Sequence, residues 1–252
     1  MLWFVACCWL GLSGAAGAAG APPHAALDGS RLALRQALLE SLNPLATAAA
    51  PADIDDPLLA DNVHALEATL TQPATSFFLA LGIGGTWHLR ATGRAAAANA
   101  ALDAYSATDA APRPLAVGAL GAHVAVRRAQ VDMAEGGRVL STASFDVAEP
   151  DGSVLAGTLR VESTAELVRD RADSLRLRGL GRQLALPSMP RRLGIPELME
   201  CLHAQLSADF SLVEGDAYAL QLITTYLDDK LWIVRSAGMW CSVWERLEDP
   251  EG

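Results

Sequence analysis

The feature that most constrains this chain is a series of short segments, from Val124 onward, in which apolar and polar residues alternate. Residues 139–147 alternate in this way and place Phe145 on one face with Val147. A tight turn follows at 149–152, where proline fixes φ and glycine accepts a positive φ. Similar segments lie at 155–161, 175–178, 209–213, 218–224, 231–235 and 239–246. About eight or nine short strands favour an antiparallel barrel or sandwich over βαβ units.

Two helices are predicted before these strands. Leucines recur at helical spacing over 31–42, and a second apolar stripe runs through 53–70. Asn43-Pro44 and Gln72-Pro73 end the two segments, so we expect a helical hairpin of acidic character. A further short helix is predicted at 196–206, because proline stands at its first position.

The composition indicates an ordered core and excludes one class of partner. Hydrophobic residues make up 51% of the 252 residues, and the formal net charge is -10. An acidic surface repels phosphate backbones, so we expect no nucleic-acid partner. The same charge disfavours electrostatic adhesion to anionic membranes, so contact with lipid requires apolar surface or an enclosed cavity.

Residues 1–21 resemble a targeting segment. An apolar run at 2–10 is too short for a membrane span, and small residues with an A-x-A pattern at 16–18 follow it. An uncleaved apolar N-terminus is the alternative interpretation. No later stretch is long and apolar enough to cross a bilayer, so we expect no transmembrane span in the mature chain. Cys201 and Cys241 then remain, and we expect buried free thiols, with a disulfide bridge as the alternative.

Two motifs connect these elements to known families. Gly85-Thr86-Trp87 resembles the Gly-Xaa-Trp that opens the first strand of lipocalin-type barrels. Residues 224–235, TTYLDDKLWIVR, resemble the terminal motif TTYLDxxLRIxR of the plastid lipid-associated proteins, the fibrillins. The chain departs from that motif at Trp232, where the family has arginine, and the Ala-rich stretch 95–111 has no counterpart in it.

The resemblance implies a fold, a location and a ligand class. The fold is α+β and mainly β, with an antiparallel lipocalin-like β-barrel at 77–248 preceded by a helical hairpin within 22–76. Fibrillins are plastid proteins of thylakoids and lipid droplets, and they associate with carotenoids, quinones and other isoprenoids. We therefore expect a hydrophobic small molecule or lipid as partner, and a peripheral position on such a lipid surface. The signal-like N-terminus suggests a plastid reached through the secretory route, or alternatively a secreted or endomembrane protein.

Aromatic residues supply the candidate ligand-binding site. Leu231 and Ile233 are expected to point inward, and Arg235 is expected to lie over Trp87 in a cation–π contact. Motif residues of this kind more often close a barrel than touch a ligand. The C-terminal tryptophans can line a cavity, lie at a rim or belong to the core. The candidate ligand-binding residues are Trp87, Phe145, Trp232, Arg235 and Trp240.

Catalytic features are weak in this sequence. No histidine has a nucleophile or metal partner at a suitable spacing, and no phosphate-binding glycine motif precedes a helix. We therefore expect a non-catalytic protein with no cofactor and no metal. One alternative is an enzyme acting on a lipid within the barrel, which needs a buried polar group such as His88, His123 or Asp146. The other is a scaffold that recruits proteins through the acidic helices at 31–70.

Overall fold

The chain forms a closed antiparallel β-barrel, and the described residues include three α-helices, as seen in a computed structural model. The elements below follow chain order. The predicted targeting segment at 1–21 and the Ala-rich stretch at 95–111 lie outside the residues that the structure describes. Those residues are 29–46, 51–54, 56–69, 82–94, 123–134, 136–168, 171, 173–214, 220–236 and 240–247.

Eight long strands make the barrel. Each pairs with the next, and β2 also pairs with β9, which closes the sheet on itself. A short strand, β1 (Ala52–Asp53), runs parallel to β2 beside Ala91 and Thr92. Gly93 permits this approach, since a Cβ there would overlap the Asp53 side chain. The barrel strands are β2 (Gly85–Arg94), β3 (His123–Met133), β4 (Arg138–Ala148), β5 (Val154–Leu167), β6 (Ser174–Ala185), β7 (Leu220–Leu227), β8 (Leu231–Ser236) and β9 (Trp240–Arg246).

The strands form a complete ring at one end of the barrel only. β2 pairs with β3 over 85–88 and 130–133, and β6 pairs with β7 over 174–177 and 220–223. Beyond these short pairings, the first half of β3 and the last half of β6 have no second neighbouring strand among the described residues. We call the complete ring the closed end. We call the opposite end, where β3 to β6 continue as a four-stranded sheet, the open end.

A helical segment covers the open end. Helix α3 (Ile195–His203) and a 3-10 helix (Ala208–Ser211) lie between β6 and β7 in the chain. Leu198, Leu202 and Phe210 are fully buried in the same apolar cluster as the inward side chains of the barrel. Burying each such side chain stabilises the fold by about 1.5–3 kcal/mol. The segment therefore completes the core where the strands do not.

The predicted strand at 209–213 is wrong, because a 3-10 turn occupies most of it. The Ser207 hydroxyl and the Asp209 carboxylate hydrogen-bond to each other locally. Short polar side chains that bond within their own turn compete with the extended conformation. The predicted strands at 139–147, 155–161 and 231–235 are confirmed, and the predicted helix at 196–206 is confirmed as α3.

The N-terminal helices cover part of the outer barrel wall. Helix α1 (Gly29–Ala46) and helix α2 (Pro57–Glu67) share a second apolar cluster with outward side chains of β8 and β9. Leu38 and Val63 from the helices meet Ile233 and Val243 from the strands in this cluster. The link between the helices lies partly outside the described residues, so the hairpin connection stays a prediction. Neither these helices nor any other described helix is long and apolar enough to cross a membrane.

The predicted direction of two side chains on β8 is wrong. Leu231 and Ile233 were expected to point into the barrel, but they belong to the outer cluster beneath the helices. Trp232 and Val234 point inward instead. Both faces of β8 are buried, so apolar alternation along this strand does not distinguish inside from outside. The prediction of buried free thiols is confirmed, with Cys201 in the inner cluster and Cys241 in the outer one.

Candidate functional site

Three tryptophans form a connected group inside the barrel. The Trp232 ring centroid lies 5.7 Å from that of Trp87 and 6.3 Å from that of Trp244, both at tilted angles. Trp87 Nε1 donates a hydrogen bond to the Ile83 carbonyl at 2.8 Å, and Trp232 Nε1 donates to Thr224 Oγ1 at 3.2 Å. Trp244 Nε1 is buried and has no acceptor among the described residues.

Arg246, rather than Arg235, stands over Trp87. Its guanidinium carbon lies 4.4 Å from the Trp87 ring centroid, and Nη2 donates a hydrogen bond to the Gly82 carbonyl. Burial lowers the pKa of Arg246. A cation–π contact of this kind contributes about 0.5–2 kcal/mol and covers the ring that fills the closed end. The predicted contact between Arg235 and Trp87 is wrong, because Arg235 leaves β8 on the opposite face.

Arg235 ties the barrel to helix α2. Its Nε and Nη2 donate to the two carboxylate oxygens of Glu67, each at 2.8 Å, and both side chains are 4% exposed. Thr225 Oγ1 donates to the same carboxylate at 2.6 Å. Two residues of the TTYLD-type motif therefore hold a helix on the barrel wall.

Asp228 of the same motif holds helix α1. Its carboxylate accepts hydrogen bonds from the Tyr226 hydroxyl at 2.7 Å and from Arg35 at 3.1 Å. It also accepts from the backbone N–H groups of Lys230 and Leu231, which fixes the turn into β8. The motif thus connects strands to helices, in agreement with the expectation that its residues are more often structural than ligand-contacting.

A small internal cavity lies beside the tryptophans. Its volume is about 10 Å³, close to the least that holds one water molecule. A pocket for a drug-sized ligand measures roughly 300–1,000 Å³, so this cavity is too small to hold such a ligand. The residues that border the cavity include Val131, Leu177, Ser207, Asp209, Leu222, Trp232, Ser236 and Trp244.

Asp209 is an ionisable residue that borders this cavity, and the sequence analysis did not identify it. The residue is 4% exposed, and its Oδ2 accepts a 2.5 Å hydrogen bond from the Ser141 hydroxyl. The Ser207 hydroxyl donates to Oδ1. Burial raises the pKa of Asp209 to about 6, although the hydrogen bond from Ser141 opposes that shift. The signal that was available is the short Ser207-Ala208-Asp209 spacing, which is typical of a polar turn.

Gln205 fastens the helical segment to the free edge of β3. Its Nε2 donates to the Val124 carbonyl at 3.0 Å, and its Oε1 accepts from the Val126 N–H at 3.1 Å. These are the bonds that a neighbouring strand would otherwise make. The chain just after the 3-10 helix lies close to β6, because a Cβ at Gly179 would overlap the Val213 backbone.

The five predicted ligand-binding residues are not brought together. Trp87 and Trp232 meet inside the barrel, whereas Phe145 lies in the inner cluster toward the open end. Trp240 is half-buried at the end of β9, opposite Arg94 and Ser236. Phe145 also borders an open surface groove of about 490 Å³, beside Gly157, where a Cβ would overlap its ring. Their ligand contacts stay predictions.

The polar groups considered for catalysis lie elsewhere. His88 is on the outer side of β2, and burial together with Arg128 and Arg90 lowers its pKa to about 4. Asp146 forms an ion pair with Arg127 at 2.7 Å. The side chain of His123 lies outside the described part. Among the described residues, no group of three or more histidine, cysteine, aspartate or glutamate side chains is arranged to hold a metal ion.

Comparisons with known proteins do not show a family for this chain. No protein-family model matches this sequence, and no curated protein matches it significantly.

Proposed function

We propose that this protein is a fibrillin-type lipid-associated protein that binds or coats an apolar isoprenoid, such as a quinone or carotenoid, without catalysis. The observation that carries the proposal is the single apolar cluster shared by the barrel interior and helix α3. Burial of ligand surface in such a cluster contributes about 25 cal/mol for each Å² removed from water. The lipocalin-like interpretation of the barrel and the plastid location belong to the same proposal.

Binding requires helix α3 to move. The present cavity, about 10 Å³, is far smaller than an isoprenoid. Leu198, Met199 and Leu202 of α3 fill the open end with apolar side chains. A ligand chain that displaces them replaces one apolar contact with another, so the change in buried surface is small. The 3-10 helix keeps its own connection through Asp209 and Ser141, and α3 can therefore move without it.

Lipid extraction and ligand uptake test the proposal. The full chain, purified without detergent, is extracted and analysed by mass spectrometry, and the delipidated protein is titrated with a short-chain isoprenoid quinone while tryptophan fluorescence is recorded. We expect a co-purified lipid and saturable quenching at one quinone per protein. If the protein carries no lipid and takes up neither quinone nor carotenoid, the proposal is wrong.

A matched pair of alanine substitutions locates the ligand. Ala143 is fully buried in the inner cluster, and Ala156 is exposed on β5. Ala143→Leu fills the interior, so we expect quinone affinity to fall at least 10-fold, whereas Ala156→Leu leaves it unchanged. Unfolding curves of both variants separate this effect from the roughly 1–3 kcal/mol cost of overpacking.

A second candidate function is modification of a bound lipid, and Asp209 is the observation that favours it. A buried carboxyl whose pKa lies near 6 is suited to transfer protons near neutral pH. Incubating the protein with the extracted lipid and analysing products by mass spectrometry tests this candidate. A product that forms with the wild type but not with Asp209→Asn supports an enzyme.

The targeting proposal needs a separate test. A fluorescent fusion carrying residues 1–40 distinguishes a plastid from a secretory destination. Plastid fluorescence supports the fibrillin-type assignment, and secretion of the fusion contradicts the plastid location.

A further inference from the structure

Ser207 and Asp209 border the internal cavity and carry hydrogen-bond acceptors, and we call these two residues the acceptor side. Ser207 Oγ and Ser141 Oγ both donate to the Asp209 carboxylate, so the hydrogens of these two hydroxyl groups are already used. The carboxylate itself, when ionised, only accepts hydrogen bonds. Of these three residues, Ser207 and Asp209 border the cavity. This side of the cavity therefore attracts a hydrogen-bond donor.

Trp244, which borders the cavity, carries a hydrogen-bond donor that is not used within the described part of the chain. The residue is 2% exposed and borders the same cavity as Asp209. Its Nε1 has no acceptor among the described residues, in contrast to Trp87 and Trp232, whose N–H groups are both bonded. A buried donor without a partner is unfavourable, and a ligand atom that accepts from it gains affinity.

We infer that this cavity recognises a hydroxyl group, so that among isoprenoids the barrel binds an apolar alcohol or hydroquinone more tightly than the corresponding hydrocarbon or quinone. This inference rests on the proposed function and names the ligand class for the same site. A hydroxyl group donates to the acceptor side and accepts from Trp244 Nε1 at once. It also matches the cavity in size, because about 10 Å³ accommodates a single oxygen atom.

A carbonyl group and a hydrocarbon end match the cavity less well than a hydroxyl group does. A carbonyl oxygen accepts from Trp244, but it brings its lone pairs toward those of Asp209 and Ser207 and donates nothing to them. A hydrocarbon end leaves both sides without a partner. Ser236 and Ser242 also border the cavity, and Ser242 Oγ lies 3.2 Å from Thr92 Oγ1. Their hydroxyl groups can donate or accept and so do not set the preference.

Three matched isoprenoids test the inference. The delipidated full-length protein is titrated with geranylgeraniol, with the corresponding aldehyde and with the corresponding hydrocarbon, and a dissociation constant is obtained for each from tryptophan fluorescence. We expect the alcohol to bind about 10- to 100-fold more tightly than the other two, because it completes one or two hydrogen bonds in a buried site.

Two substitutions assign the preference to the named groups. Trp244→Phe removes the N–H but keeps an aromatic ring, so the preference for the alcohol should fall below about 3-fold, while hydrocarbon affinity changes little. Asp209→Asn places an amide donor beside the cavity. The alcohol should then bind less far above the aldehyde in affinity than it does in the wild type. Tyr226→Phe is the control, because it removes one polar atom from a buried aromatic residue outside the barrel and should leave the preference unchanged.

The outcomes separate this inference from the proposed function. Equal affinity for all three isoprenoids overturns hydroxyl recognition and leaves the lipid-binding proposal standing. Unchanged selectivity in both Trp244→Phe and Asp209→Asn also overturns it, provided that unfolding curves show that both variants are folded. Failure of all three isoprenoids to bind a wild type that still takes up the quinone overturns this inference alone. If the wild type also carries no lipid and takes up neither quinone nor carotenoid, the proposed function is overturned with it.

Discussion

Glu67 joins the two layers of this molecule, because its carboxylate accepts hydrogen bonds from Arg235 and Thr225 on the barrel wall. The pair with Arg235 is bidentate and excluded from water, and both geometry and burial make it strong. Removing one member of such a pair leaves the other charge buried without compensation. The docking of α2 on the barrel therefore depends on a few polar contacts within an apolar layer.

Glu67→Gln should destabilise the fold by about 3–5 kcal/mol, because the amide cannot neutralise Arg235. Urea unfolding followed by circular dichroism measures the loss. Arg127→Gln is the matched control, since it breaks the largely exposed pair with Asp146 and should not change the unfolding midpoint. A loss below about 1 kcal/mol for Glu67→Gln would contradict the importance of the buried pair.

Asp209 makes stability depend on pH in an unusual direction. Because burial raises its pKa in the fold from 3.8 to about 6, the native state binds a proton that the unfolded state releases. The stabilising contribution of the protonated acid is complete below about pH 4 and is lost as pH rises through about 6.

Asparagine carries no charge to bury at any pH. We therefore expect the free energy of unfolding of Asp209→Asn to rise, relative to that of the wild type, by up to about 3 kcal/mol between pH 4 and pH 7. Urea unfolding of both proteins at intervals across this range measures the difference. A difference that does not change with pH would show that the carboxylate is compensated within the fold.

At the scale of elements, the open end of the barrel is closed by a helix rather than by strands. The free edge of β3 receives its hydrogen bonds from the Gln205 side chain. A side chain can release these bonds without breaking a strand pairing, so α3 is the element suited to open. The predicted strands at 139–147, 155–161 and 231–235 are confirmed, but nothing in local periodicity indicated which strand pairs would be incomplete.

Gln205→Leu should accelerate amide hydrogen exchange over 124–126 and increase the rate of quinone uptake, since it removes both bonds to β3. We expect a stability loss of about 1–3 kcal/mol from these lost hydrogen bonds. Gln183→Leu, the same substitution on an exposed position of β6, is the control and should leave exchange and uptake unchanged. Exchange that rises equally in both variants would argue against a fastening role for Gln205.

At the scale of the whole molecule, the sheet is apolar on both sides over β8 and β9. The inner cluster fills the barrel, and the outer cluster is covered by α1 and α2. The two N-terminal helices are consequently part of the folded body, and only their exposed faces are available to recruit other proteins.

A truncated chain beginning at residue 82 should lose solubility, because it exposes Leu231, Ile233 and Val243 and leaves Arg235 without Glu67. Size-exclusion chromatography compares the fragment with the full chain, and a monomeric, folded fragment would contradict this expectation. Charge reversal at exposed helix positions, such as Glu40→Lys with Asp61→Lys, tests protein recruitment without exposing the outer cluster.

The sequence by itself determined the mainly antiparallel β-architecture, the N-terminal and α3 helices and the buried thiols. These follow from hydrophobic periodicity and turn residues, which act over a few neighbouring positions. Tertiary structure alone decided that Ile233 faces the helices, that Arg246 covers Trp87 and that Asp209 enters the barrel. Each of these depends on which distant segments cover a strand face, and a strand buried on both sides carries no local sign of its orientation.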